Sequence, residues 1–310
     1  MSLEIITDFD GDYSKEIYKD LAVGNEVVEK GIAFLELDVP QKRALRYAKQ
    51  SDNPIGGWIA TPLPGDVTVS SEFNFRELDL VKSMIYERFS PVDYDLVEED
   101  LRSVGSQTEH RVAPKVLSEV MQLLVPNAGA QMSHTFFHGV TSNTGEFDGI
   151  FTEAIADGNT IQVTPAGLIN INNVIDIISS VIDSIPDKDY LNEDYKIMMS
   201  VADYRILQRY NTLTKKSHDG VLEDTFKNMM ENKQIIPLVG IDKNHILCTK
   251  TGNTAESNLH FGFWFDEKNE FADARVNRVA NDSEEWFLRV NFKMDANYKY
   301  SENLIYYIPE

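Results

Sequence analysis

Only one cysteine, Cys248, occurs in 310 residues, so no disulfide can close within the chain and a fold stapled by bridges is excluded. It lies in the apolar run Ile246–Thr249, a buried strand position with no neighbouring base or helix start to lower the thiol's pKa. A small core residue is therefore expected, not a nucleophile, and a lone thiol fits a reducing cytoplasm. Nowhere do about eighteen apolar residues run together, so no helical membrane span is expected. Met1–Asp8 has no basic segment followed by an apolar run, and no secretory signal is expected. Positive charge is also scarce, with 29 Lys and Arg against 50 Asp and Glu and a net charge of -21. A protein that grips nucleic acid by its phosphates needs clustered cations to displace counterions, and the charge argues against that class. A wall that merely faces DNA is not, because DNA should not stick to it, and self-repulsion keeps such a protein soluble when concentrated.

The chemistry of common enzymes is missing as well. There is no Gly-rich phosphate loop, no Gly-x-Ser-x-Gly elbow and no Cys-x-x-Cys pair. The string Asp8–Asp12 resembles the first motif of haloacid-dehalogenase phosphatases, in which Asp8 would be nucleophile and Asp10 acid/base beside magnesium. Asp12, however, replaces the usual Thr or Ser, and no acidic pair follows a later apolar strand. Tyr13 stands where a calcium loop needs its sharp-turn Gly. His134 and His138 have metal-ligand spacing on one helix face, but Thr135 occupies the position that zinc proteases give to Glu. No catalytic residue, cofactor or metal is expected.

What the chain has is 42% hydrophobic residues, enough for one large domain or two ordinary ones. Its C-terminal part is dense in aromatics: Asn258–Asp266, Glu285–Met294, Tyr298–Tyr300 and Leu304–Ile308 read as strands, with breaks at 266–269, 281–283 and 295–297. Near the other end, Ser14–Ala22 is a candidate short helix in an acidic arm. Ile32–Phe75 reads as extended segments, including Trp58–Ala60 and Val67–Phe73, punctuated by Pro and Gly: a protruding β-hairpin that cannot bury both faces on its own domain. Leu78–Phe89 is ambiguous between helix and strand. Apolar residues from Val116 to Phe136 recur at helical spacing, predicting a helix from Pro114 to His138 that Gly139 stops and Pro126 kinks or splits. Val174–Ile185 predicts a second helix, stopped by Pro186. Tyr195–Met199 follows as a strand, and Ser200 with Asp203 has capping-box spacing for a helix through Asn211. A helix over Asp219–Asn232 and strands at Gln234–Ile241 and His245–Thr249 complete the reading.

One charge feature breaks the acidic background. Lys42, Arg43, Arg46 and Lys49 share an acid-free stretch at or near the expected tip of the hairpin. They are either a solvated loop or an arm that docks on the acidic surface of an identical neighbour, where complementary charge orients the contact.

This order of elements resembles the major capsid proteins of tailed bacteriophages, the Hong Kong 97-type fold, over residues 30–309. The resemblance is carried by Phe136–Gly139 with Phe147–Gly149, by Tyr195–Tyr204, by Asn258–Phe263 and by Tyr298–Tyr307. It implies an α+β protein with an N-terminal arm (1–30), an extended loop (31–76), a discontinuous peripheral domain (77–150 and 266–310) whose spine is the helix at 114–138, and an inserted axial domain (151–265). It further implies a structural role: self-assembly into pentamers and hexamers of an icosahedral head that encloses double-stranded DNA, with Lys42, Arg43, Arg46 and Lys49 at inter-subunit contacts. Implied partners are other copies of the chain, a separate scaffolding protein, portal and decoration proteins, and weakly touched DNA, with assembly in the host bacterial cytoplasm and no membrane. The alternatives are an encapsulin-like nanocompartment shell and a phosphatase using Asp8 and Asp10.

Overall fold

The computed structural model describes residues 7–8, 24–37, 39, 42–50, 71–89, 114–215, 229–230, 232–264, 274–278 and 285–309. The helix expected at 14–22, the segments at 58–60 and 67–70 and the first part of the helix expected at 219–232 lie outside them. The end of that last helix is corrected: Met229–Met230 is a short strand paired with Lys233–Leu238.

The first sheet is built on β13, Trp286–Tyr298. Leu288, Val290, Phe292, Met294, Ala296 and Tyr298 are all buried while the residues between them are mostly half-exposed, the period of two that puts alternate side chains on one face. β12 (Ala274–Arg278) and β11 (Leu259–Trp264) pair with successive parts of one side of β13. β5 (Val81–Phe89) pairs with the other side. β1 (Thr7–Asp8) extends β12, and β2 (Phe34–Glu36) lies parallel to β11. Val81–Phe89 is thus strand, which resolves the ambiguity, and Asp295–Asn297 is strand where a break was expected. The polar side chains there are satisfied in place: Asp295 accepts the backbone N–H groups of Asp79 and Ala296, and the Asn297 amide donates to the Glu77 carbonyl. A polar residue with a partner does not interrupt a strand.

A 25-residue helix, Pro114–His138 (α2), covers the buried face of this sheet. Val120, Leu124, Met132 and Phe136 are buried on it, at intervals of four and eight residues that keep them on one stripe. Pro126 does not split it: the residue is exposed and the helix runs through. Before this helix comes α1 (Glu26–Glu29), capped by Asn25, whose side chain accepts the Val27 N–H. After it come α3 (Ile150–Ala156) and β6 (Ile161–Gln162).

The second sheet has the order β6-β14-β10-β7-β9-β8, with β7 Tyr195–Ser200, β8 Met229–Met230, β9 Lys233–Leu238, β10 Ile246–Lys250 and β14 Ile305–Tyr307. Both its faces are buried. Met198, Leu247 and Tyr306 join the core under α2, whereas Ile197, Met199, Ile246, Cys248, Ile305 and Tyr307 join a separate core under α4 (Val174–Asp183) and α5 (Val201–Lys215). A sheet covered on both faces needs continuous apolar runs, and these strands are such runs. The capping box forms as expected, with Asp203 N–H donating to Ser200 Oγ at 3.0 Å.

Two strands change sides relative to the expected division. Leu259–Trp264, expected in the axial unit, pairs in the first sheet, and Ile305–Tyr307, expected in the peripheral sheet, pairs with β10 and β6 in the second. The chain therefore crosses between the units once more than expected, and its end ties them together. Close approach fixes how they sit: a Cβ on Gly240, in the β9–β10 loop, would come within 2.5 Å of the Ser133 backbone on α2, so only glycine fits there.

Candidate functional site

The feature that neither core absorbs is a two-stranded ribbon, β3 (Lys42–Gln50) and β4 (Ser71–Asp79), in register from Lys42 opposite Asp79 to Gln50 opposite Ser71. Its two faces differ. The face with Leu45 is anchored: Leu45, Leu78 and Leu80 bury themselves against Val39 and Trp264. Further along this face Tyr47 meets the edge of Tyr300, with centroids 5.1 Å apart. Arg76 forms the main tie to the body. Its guanidinium lies 4.1 Å from the centre of the Tyr298 ring and donates to the Asp157 carboxylate and to Ser301 Oγ. Burial alone would push Asp157 up, but donation from Asn159, Ser301, Arg76 and Tyr298 outweighs it and holds the carboxyl at about 2.

The opposite face carries Phe73, 83% exposed, and Phe75, 61% exposed. They stand across from Ala48 and Arg46. Two large aromatic side chains this open, side by side on a ribbon, are what an interface presents before its partner arrives.

The register corrects the location expected for the four basic residues. They lie along β3, with Lys42 at the root, and residues 51–70 beyond them lie outside the described residues. Three pair within the chain: Lys42 with Asp79 at 2.8 Å, Arg43 with Glu36 at 2.8 Å and Lys49 with Glu302 at 2.7 Å. Arg46 is exposed on the outward face beside Phe75. Glu36 also meets His260, whose Nδ1 is 3.2 Å from Glu36 Oε1 and whose Nε2 is 3.1 Å from the Ser257 carbonyl. Burial pushes the His260 pKa down to about 4.

At the root of the ribbon, burial raises Asp295 to about 7, against an ordinary value of 3.8, despite the two N–H groups it accepts. The folded protein then holds a proton on Asp295 more tightly than the unfolded chain. The resulting stabilisation is complete below pH 4 and is lost as pH rises through about 7. It amounts to a few kcal/mol at most, since each tenfold gain in proton affinity is worth about 1.4 kcal/mol. Asp295→Asn should lose about 1 kcal/mol at pH 5, where one backbone bond weakens, yet show a flatter profile of melting temperature between pH 5 and pH 8. Parallel profiles would contradict the assignment.

Among the described residues the candidate catalytic groups do not come together. Asp8 lies opposite Arg275 in β1–β12, and Asp10 and Asp12 are outside the described residues. Cys248 is fully buried, and burial pushes its thiol up to about 12, which makes it inert. His134 and His138 do gather companions that the sequence did not reveal: Asp242 and His245, brought in by the β9–β10 loop. His138 stacks on Phe151, accepts the Asp242 N–H through Nε2 at 3.0 Å and lies 5.1 Å from the His245 ring. A ring that accepts there is neutral, and burial lowers its pKa to about 4. Among the described residues no group of His, Cys, Asp or Glu has the geometry to hold a metal ion. No helix among them is long and apolar enough to cross a membrane.

No protein-family model and no curated protein matches the chain. Solved structures do. A chain of the satellite phage P4 procapsid, which includes the size determination protein, aligns with TM-score 0.59 and 8% identity over 98% of this chain and 92% of its own. The capsid of Myoviridae phage XM1 gives 0.56 and 9% over 92% of each chain. A virus-like particle from Pyrococcus furiosus gives 0.51 and 11% over 96% of this chain and all of that one. At such identities the likeness is one of fold. The chain has the fold of phage major capsid proteins, as the order of its elements led us to expect.

Proposed function

We infer that this chain is the subunit of a protein shell, a major capsid protein, and that its role is structural, not catalytic. The observation that carries the reading is the ribbon: one face pinned to its own body, the other holding Phe73 and Phe75 open, on a chain of which 98% aligns with a phage procapsid chain. In this reading the outward face docks on a neighbouring copy, heterologous contacts close into rings of five and six, and rings join into an icosahedral head around double-stranded DNA. Many modest contacts per subunit give a collective stability that no single one has to supply. The net charge of -21 suits a wall that packaged DNA should not wet. A separate scaffolding protein would set the curvature during assembly in the host cytoplasm, with portal and decoration proteins completing the virion.

The four basic residues divide the work. Arg43 and Lys49 aim the ribbon through ion pairs to the body, Lys42 ties its two strands together through Asp79, and Arg46, beside the open phenylalanines, meets the neighbour's acidic surface. Reversing all four to Glu should leave a folded protomer that assembles poorly, and Arg46→Glu alone should slow assembly without changing the melting temperature. Shell yields equal to wild type from both variants would refute this use of the ribbon.

The likeness to the Pyrococcus furiosus particle supports a second reading, an encapsulin-like compartment. Purified particles would then hold protein cargo in place of DNA.

A further inference from the structure

The loop between β9 and β10, residues 239–245, leaves the second sheet and lies against α2. Three of its backbone N–H groups go to titratable side chains, each on a different helix: Gly240 donates to Glu26 Oε1 on α1 at 2.7 Å, Asp242 to His138 Nε2 on α2 at 3.0 Å and Asn244 to Asp203 Oδ2 on α5 at 2.6 Å. The loop is thus a strap. Its first two bonds join the second sheet to the helices of the first, and the close packing of Gly240 on Ser133 depends on the strap lying flat.

The three acceptors respond differently to a proton. A carboxyl group protonated on one oxygen still accepts on the other, and both Glu26 and Asp203 therefore remain acceptors. An imidazole protonated at both nitrogens has no lone pair left to accept with. Among the described residues the titratable groups that face His138 are His134 on α2 and Asp242 and His245 on the strap, while α3 contributes the Phe151 ring, stacked on it at 4.8 Å. Because Nε2 accepts, the single proton of the ring sits on Nδ1, 3.9 Å from Asp242 Oδ2. Burial opposes a second proton most; Asp242 favours it, and His245 and His134 oppose it.

We propose that the strap is a proton-operated fastening between the two sheets: acid puts a second proton on His138, the Asp242 N–H loses its acceptor, and the strap lifts from α2 while both sheets stay paired. With the strap down the ring titrates at about 4; once it lifts, the ring meets water and its ordinary value of 6.5 returns. Above pH 6.5 neither state takes the second proton, and the fastening has its full strength. As pH falls from 6.5 to 4 only the lifted state takes it, so the lifted fraction grows by up to about tenfold per pH unit, and below pH 4 it gains no more from this group. The proposal does not depend on the shell reading.

Amide hydrogen exchange on the full chain, corrected for the intrinsic effect of pH on exchange, tests it. Protection of the Gly240 and Asp242 amides should fall about twentyfold between pH 7 and pH 5, while the amides of the β7–β10 ladder stay protected. His138→Gln keeps an acceptor that does not titrate, and should protect the same two amides at pH 7 with a profile flat to pH 5. If that variant does not fold, exchange of the carbon-bound ring hydrogen in the wild type follows the titration of His138 itself, expected at about 4. A flat wild-type profile, an unchanged slope in His138→Gln, or a ring that titrates at its ordinary value each overturns the proposal.

Discussion

A chain ended after Asn303 is expected to lose its second sheet altogether. β14 lies between β6 and β10, and Leu304, Ile305, Tyr306 and Tyr307 are all buried. Tyr306 reaches the core under α2, and Ile305 and Tyr307 reach the core under α4 and α5. The Tyr307 hydroxyl also donates to the Gly167 carbonyl and accepts the Ala166 N–H, fixing the loop before α4. Emptying a large buried site costs about 2–5 kcal/mol, so three or four such losses reach the roughly 5–15 kcal/mol that holds a domain of this kind folded. The truncated protein should therefore show no cooperative melting of the α4–α5 unit, and protease should cut within 161–260. Because β13 keeps its pairs with β5, β12 and β11, protection in the first sheet should fall less. A cooperative transition at the wild-type temperature would contradict the topology.

The second large effect concerns association, not folding. Phe73→Asp with Phe75→Asp should leave the melting temperature of the protomer within a few degrees of wild type, since neither side chain is buried within the chain. Shells should be absent. An aromatic residue lost from the centre of an interface costs on the order of 2 kcal/mol or more, and a closed shell repeats that loss at every subunit contact. Shells formed at normal yield by this variant would remove the outward face of the ribbon from the assembly contacts.

Period-two burial in β13, the helical stripe of α2 and the Ser200–Asp203 cap are local patterns, and the sequence showed each of them. Partner choice was not local. Ile305–Tyr307 is apolar at every position, so nothing in it distinguishes a place in either sheet, and only the ladder with Ile246–Cys248 does. Asp295 looked like a turn residue because the Asp79 N–H that helps to satisfy it comes from 216 residues away in the chain. The histidine pair on α2 was visible as spacing, but its companions come from a loop about a hundred residues further on. The basic run was visible as composition, while its ion pairs with Glu36 and Glu302 depend on the tertiary fold. The open phenylalanines carry no local mark, since aromatic residues in a strand are usually core, and only the register of the ribbon shows that both stand on its unburied face.

Electron microscopy of the purified protein, with light scattering beside it, tests the central claim most directly. Closed particles tens of nanometres across, formed by the wild type and missing from the Phe73→Asp, Phe75→Asp variant, are the predicted result. A wild-type protein that stays monomeric or dimeric at every concentration and salt condition tried, with or without a scaffolding partner, would contradict it.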